Sequence, residues 1–344
     1  MMSANNEAAK TLRIGLIASG ESVERLRAAI GACGDVTLAA QAGVPQSAAD
    51  PSAEWFDDRR VLIAQSSVDA VVLSVSPRVD TELSVVAAEH GKHVFRVPPL
   101  GRNFADAVEV VRRIRAAGVV LRAVSAWEPR SATVRSVLER ADGFRAILSE
   151  AQVSARGPAL QSPWSNMVES GGGVLLCDGY ALLESIIALR DLPESVHADV
   201  GRCRGLGSGT PRETEDFVAA VLRYEGGGAA AVRVAWDLGP TESRVIHHGA
   251  SASLVVDDAG VGVLAADFQE SQRRTFDGDD LASELQQFVR DARTPAAVRG
   301  PDDSTERHVA VSAVIEAIYL SARTGQPEIP RKLFEVQGWA ERVR

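Results

Sequence analysis

From residue 12 to residue 124, short apolar runs alternate with segments of helical spacing, and this rhythm restricts the fold more than any other feature of the chain. Leu12-Arg13-Ile14-Gly15-Leu16-Ile17-Ala18 reads as a buried strand. Residues 21–32 follow with Val23, Leu26, Ala29 and Ile30 at helical spacing, ending at Gly34. Further strands are predicted over 36–40, 69–74, 93–95 and 119–124, and helices over 55–66, 81–90 and 104–117. Strands alternating with helices predict an α/β fold with a parallel, doubly wound sheet of the Rossmann type.

Past residue 127 the pattern changes. A helix is predicted over 131–141, and strands over 144–153, 195–204, 217–225, 229–237, 243–249 and 253–256. Gly226-Gly227-Gly228 supplies a hairpin turn. Helices are predicted over 281–292 and 304–324. Consecutive strands after a βα region predict an α+β domain with a large, open, mostly antiparallel sheet. A length of 344 residues accommodates two such domains, divided as 1–126 and 127–344.

Charge and cysteine usage exclude several function classes. Lys+Arg 37 against Asp+Glu 46 gives a net charge of -9, which argues against nucleic-acid or anionic-membrane partners. Cys33, Cys177 and Cys203 are too few and too widely spaced for a disulfide framework or a metal signature. They fit a reducing cytoplasm. Residues 1–10 are polar and lack the apolar core of a signal peptide, and no run reads as long enough to cross a bilayer. His247-His248 alternate across a strand, so at most one faces any cleft.

Ligands of open α/β sheets sit where strands run out into turns. His93-Val94-Phe95-Arg96-Val97-Pro98-Pro99-Leu100-Gly101 is such a stretch, and Ser74-Val75-Ser76-Pro77 is another. With the triple glycine Gly171-Gly172-Gly173 opening an apolar helix, and the segment 313–329, they resemble the Gfo/Idh/MocA oxidoreductase family. The resemblance covers roughly residues 12–330. It implies NAD or NADP as cofactor, a sugar or polyol-like substrate, no metal, and a homodimer or homotetramer formed through the open sheets. It also implies a cis peptide at Pro98–Pro99 and return of the C-terminal helix to the first domain.

The family's chemistry is eroded here. Val97 and Pro98 stand for the glutamate and lysine of its strand-end motif, and Cys177 and Ala181 for its helix aspartate and histidine. Asp178 lies one residue off, turned by about 100° on a regular helix, and Tyr180 is the nearest other proton donor. These two are the catalytic candidates. Cys177 lacks an adjacent histidine and reads as structural. Of the phosphate-turn positions Ala18, Gly20 and Val23, only the middle glycine survives, and Val23 puts bulk where close packing is wanted. Ala18, Ser19, Gly20, Glu21 and Ser22 would line that turn, with the Glu21 carboxylate opposing a phosphate. Gln41 stands where a ribose-binding carboxylate is expected, and Ser74, Ser76, Arg96 and Pro98 would line the rest of the groove. Two functions are compatible with this pattern: an oxidoreductase with altered catalytic groups, or an inactive relative serving as a binding or partner subunit.

Overall fold

A computed structural model describes residues 11–65, 67–124, 144–203, 212–258, 260–265, 270–275, 281–299 and 303–339. The boundary expected near residue 127 and the helix expected over 131–141 lie outside the described residues.

Six strands form the first sheet: β1 (Leu12–Ala18), β2 (Val36–Ala42), β3 (Glu54–Trp55), β4 (Ala70–Ser74), β5 (His93–Arg96) and β6 (Leu121–Ala123). Their order is β3-β2-β1-β4-β5-β6, and every pairing is parallel. β4 is buried along Ala70-Val71-Val72-Leu73, because helices cover both faces and leave no solvent side to alternate toward. Helices α1 (Ser22–Ala32), α2 (Arg59–Gln65), α3 (Pro77–Glu89) and α4 (Phe104–Ala117) connect the strands. Ser76 caps α3 by accepting from the Val79 amide at 3.3 Å, ahead of Pro77. Asn103 caps α4 through the Asp106 amide at 2.9 Å. The helix expected from residue 55 starts later: Glu54–Trp55 pairs with β2, and Asp58 Oδ1 accepts from the Arg60 amide at 2.7 Å, which fixes the helix start there. The order reverses between β1 and β4, so a crevice opens at their carboxyl ends.

The second sheet has eight strands: β7 (Leu148–Ala155), β8 (Ser195–Gly201), β9 (Phe217–Arg223), β10 (Ala229–Trp236), β11 (Glu242–His248), β12 (Ala252–Asp257), β13 (Gly260–Ala265) and β14 (Glu270–Thr275). The order is β14-β13-β12-β11-β7-β10-β9-β8; only β7 and β10 pair in parallel. Among the described residues, the further α-helices are α5 (Met167–Ser170), α6 (Tyr180–Arg190), α7 (Leu281–Arg293), α8 (Asp303–Thr324) and α9 (Pro330–Val336), with a π-helical turn at Leu175–Gly179 leading into α6. Val196, Val218, Leu222, Val232 and Val234 are buried with residues of α6 and α8, whereas His197, Ala219, Val221 and Ala231 are exposed on the opposite face. α7 packs against the first sheet and α1, where Leu281, Leu285, Phe288 and Val289 join Leu26, Ile30 and Phe95 in one core. The apolar stretch Met167–Arg190 does reach bilayer-spanning length and composition, contrary to expectation, but most of it is buried as a core element of this protein.

His247 is fully buried on β11, with Nδ1 2.9 Å from Ser149 Oγ. Burial pushes its imidazole down from 6.5 to about 4. Between those values the unfolded chain takes up a proton that the folded chain refuses, so stability falls as pH drops through the window, by up to roughly 3 kcal/mol. Asp80 acts in the opposite sense: burial raises its carboxyl from 3.8 to about 6, so its contribution is lost as pH rises through about 6. Urea unfolding at pH 7 and pH 4.5 should therefore show a smaller acid loss in His247→Gln than in the wild type; equal losses would contradict this account.

Candidate active site

The crevice starts at the turn after β1. The Ser19 amide donates to Ser74 O at 2.9 Å, clamping the ends of β1 and β4 together. Gly20 makes the turn with φ 69, and Gly20 and Glu21 are exposed. Ser22 Oγ donates to Ser19 O at 3.1 Å, and no side chain caps the start of α1. Val23 does not crowd this turn. Its side chain is buried with Leu26 and Ile30, pointing away into the core shared with α7. Gly43 matters as well: at φ 88, a Cβ there would stand 2.6 Å from Ala18 O, so only glycine lets β2 exit beside β1.

Several polar residues expected in the groove are instead committed to the scaffold. Gln41 is fully buried; its Oε1 accepts from the Asp50 amide (2.9 Å) and Arg27 Nη2 (3.1 Å), and its Nε2 donates to Asp50 O (2.7 Å). The segment after β2 folds over the strand end and consumes the amide, so Gln41 reads no ribose. Ser76 is buried too; besides capping α3, its hydroxyl donates to Glu169 Oε2 at 3.2 Å. Arg78 pairs with the same carboxylate at 2.8 Å, so Glu169 ties α5 to the turn after β4 and the start of α3. Arg96 is fully buried and donates to Pro99 O at 2.7 Å, Leu100 O at 3.2 Å and Ser84 Oγ at 3.2 Å. Its terminal nitrogens are spent inside the scaffold. The Pro98–Pro99 bond is cis, as the resemblance implied, and Pro98 stays half-buried.

The facing wall is built by the triple glycine. A Cβ at Gly173 would come 2.3 Å from Glu215 O, so glycine is required for this approach. The Glu215 carboxylate accepts from the amides of Gly173 (2.7 Å) and Leu175 (3.1 Å) and from Tyr319 Oη (2.9 Å). An internal carboxylate thus occupies this helix start. The chain then opens into the π-helical turn, whose extra residue rotates α6 relative to its position in an unbroken helix. Asp178 lies inside that turn, half-buried, accepting from Trp236 Nε1 at 2.6 Å. Burial raises its carboxyl, and the Trp236 bond partly opposes this. The Arg212 guanidinium lies 5.3 Å from the Trp236 ring centroid and pairs with Asp216 (3.4 Å) and Asp237 (3.2 Å).

Tyr180 turns the other way. It is buried, with Oη 3.0 Å from His308 Nδ1, while His308 Nε2 lies 2.9 Å from Ala123 O. The carbonyl must accept, so Nε2 carries the proton and the phenol donates to Nδ1. Tyr180 therefore joins α6 to α8 and the end of β6, and presents no hydroxyl to a cleft. Burial, and the Asp178 charge beside it, push the Cys177 thiol well up, in keeping with a structural role. Sequence reasoning missed Glu169, Glu215, Trp236 and Arg212; no local pattern marks them, because they come from three separate segments.

Residues 24–124 match the family model of the Gfo/Idh/MocA oxidoreductases, described as an oxidoreductase family with an NAD-binding Rossmann fold. A solved levoglucosan dehydrogenase in complex with NADH and levoglucosan superposes with a TM-score of 0.78 at 17% identity, covering 92% of this chain and 98% of that one. The fold is that of the Gfo/Idh/MocA oxidoreductases. Among curated relatives, an uncharacterized oxidoreductase of Schizosaccharomyces pombe is 24% identical over 179 residues, 52% of this chain and 48% of its own length. The 1,5-anhydro-D-fructose reductase of Ensifer adhaerens is 28% identical over 205 residues, 56% of this chain and 58% of its own length. The matches to these relatives thus span about half of their length.

Proposed function

We propose that this chain is an NAD(P)-dependent oxidoreductase of a sugar or polyol-like substrate, with Asp178 as the group that exchanges the substrate's hydroxyl proton. The observation that carries the reading is the open phosphate turn: Ser19-Gly20-Glu21 is accessible, α1 starts without a side-chain cap, and Val23 points into the core. A helix start of that kind offers unpaired amides to a pyrophosphate. The fit is incomplete in two places: at the ribose, where Gln41 is consumed by its own loop, and at the start of α1, where the exposed Glu21 carboxylate opposes a phosphate. Ser19, Gly20 and Ser22 would hold the pyrophosphate, and the walls at Ser74 and Pro98 would border the remainder. When bound, a nicotinamide supplies the hydride acceptor or donor. Asp178, partly shielded and aligned by Trp236, takes or returns the proton. The likeness of the chain to a sugar-derivative reductase supports the substrate class.

Calorimetric titration of NADH and NADPH into the purified protein tests the reading. Micromolar binding is expected, and no binding up to millimolar concentration would overturn it. A second reading, an inactive partner subunit, is favoured by one observation: Val97 and Pro98 leave no proton-transferring side chain where β5 ends. Cofactor binding without turnover on any aldose, polyol or anhydro sugar would select it.

The exposed sheet face at His197, Ala219, Val221 and Ala231 would serve a homo-oligomer, and a monomer in sedimentation would contradict that. Free Cys33, Cys177 and Cys203 accord with a cytoplasmic setting.

A further inference from the structure

We propose that Asp80 and Arg96 are positioning residues that hold the two strand-end loops of the cleft, 74–77 and 97–101, as one unit. The proposal rests on the dinucleotide reading above for its functional consequence, though not for its geometry. Arg96 is the last residue of β5, and Asp80 lies in the first turn of α3. Both side chains are buried, Arg96 wholly and Asp80 to 5% exposure. Burying a guanidinium and a carboxylate is costly, and a well-packed apolar pair of similar volume is often as stable or more so. What the charged pair adds here is direction.

Every hydrogen bond involved ends on one of the two loops or on the helix between them. The two Asp80 carboxylate oxygens lie 3.0 and 3.2 Å from the Val75 amide, which fixes the chain just past β4. Arg96 Nη2 donates to Pro99 O at 2.7 Å, and Nη1 to Leu100 O at 3.2 Å, which fixes the chain just past β5. Ser84 joins the two halves: its hydroxyl donates to Asp80 O at 2.6 Å and accepts from Arg96 Nη1 at 3.2 Å. Each charge is the other's largest electrostatic compensation, and Arg59 adds to it on the Asp80 side. The network therefore couples the loop carrying Ser74 and Ser76 to the loop carrying Pro98. A shift of either loop by about 1 Å would misplace a bound cofactor and cost on the order of 10²-fold in rate.

Three variants and three readouts test this. Arg96→Lys keeps the buried charge but loses the fork that grips two carbonyls; its Tm should stay near wild type while NADH binds at least about tenfold more weakly. Asp80→Leu combined with Arg96→Met removes both charges and the acceptor of the Val75 amide. That double variant should recover most of the Tm lost by Arg96→Met alone, yet keep the weakened NADH binding. Recovery of affinity together with Tm, or wild-type affinity in Arg96→Lys, would show the pair to be packing only and overturn the proposal. If the wild type binds no NADH, the cofactor reading fails by itself. The positioning claim is then decided by amide exchange: in the double variant the Val75 amide, which donates to Asp80, should exchange at least about tenfold faster, with Leu73 unchanged. Unaltered exchange at Val75 would overturn it.

Discussion

Asp178→Asn is expected to lower kcat by about 10²–10⁴-fold, the usual contribution of a positioned acid–base group, while NADH affinity stays within a factor of about 2 of wild type. The substitution is conservative in shape. An asparagine Oδ1 still accepts from Trp236 Nε1, so the 2.6 Å contact that aligns the side chain survives while the ionisable oxygen is lost. Steady-state rates on a panel of aldoses, polyols and anhydro sugars, with parallel cofactor titration, separate the outcomes. Undiminished turnover would remove Asp178 from the mechanism. Loss of cofactor affinity along with turnover would place it beside the dinucleotide instead of the substrate.

The pH dependence has a definite sign. A general base works deprotonated, so the rate of alcohol oxidation should fall as pH drops through the value of Asp178. Burial has raised that value above the ordinary carboxylate range, and the Trp236 and Cys177 bonds hold it back. Trp236→Phe removes the first-named of these restraints and should move the acid limb to higher pH. Asp178→Asn should abolish the limb from whatever rate remains.

The parallel sheet was legible because β1 and β4 are buried on both faces and so read as unbroken apolar runs. The β9–β10 hairpin was legible because alternation brackets three glycines, all with positive φ. β13 and β14 were not: Gly260-Val261-Gly262 and the polar Glu270–Thr275 carry no apolar alternation, and pairing alone places them in the sheet. The site was harder. Gln41 and Arg96 are polar residues at strand ends, which on pattern alone face the crevice. The loops that fold over them and consume their hydrogen bonds are set by tertiary contacts such as Gln41–Asp50 and Arg96–Pro99. Asp178 looked misaligned because regular helical spacing does not hold through residues where the chain makes a wider turn. Val23 looked obstructive against a glycine pattern, whereas the inward direction of its side chain depends on α7, which arrives some 260 residues later.

That late arrival is also where the largest loss of stability is expected. Phe288→Ala should destabilise the protein by about 3–5 kcal/mol, the cost of deleting a buried phenyl and leaving a cavity. Phe288 is fully buried on α7, its ring meeting Phe95 edge-on at 5.5 Å and His93 at 6.5 Å. Phe95 belongs to β5, which the sheet and α3 hold in place, so the site has little freedom to collapse. With total stabilities of about 5–15 kcal/mol typical for folded domains, such a loss is visible in urea melts. It should be local in amide exchange, with protection falling in β1 and β5 and holding in β10, whose core lies under α6 and α8. His93 gives an independent reading of the same cavity. Its Nδ1 accepts from the Val120 amide at 2.9 Å, and burial holds its imidazole below the ordinary value. Water entering the space left by Phe288 would relieve that desolvation, so the His93 titration followed by NMR should move upward in Phe288→Ala. A destabilisation under about 1 kcal/mol, well below the range for buried phenyl deletions, together with an unmoved His93, would mean that α7 is not what closes this side of the first sheet.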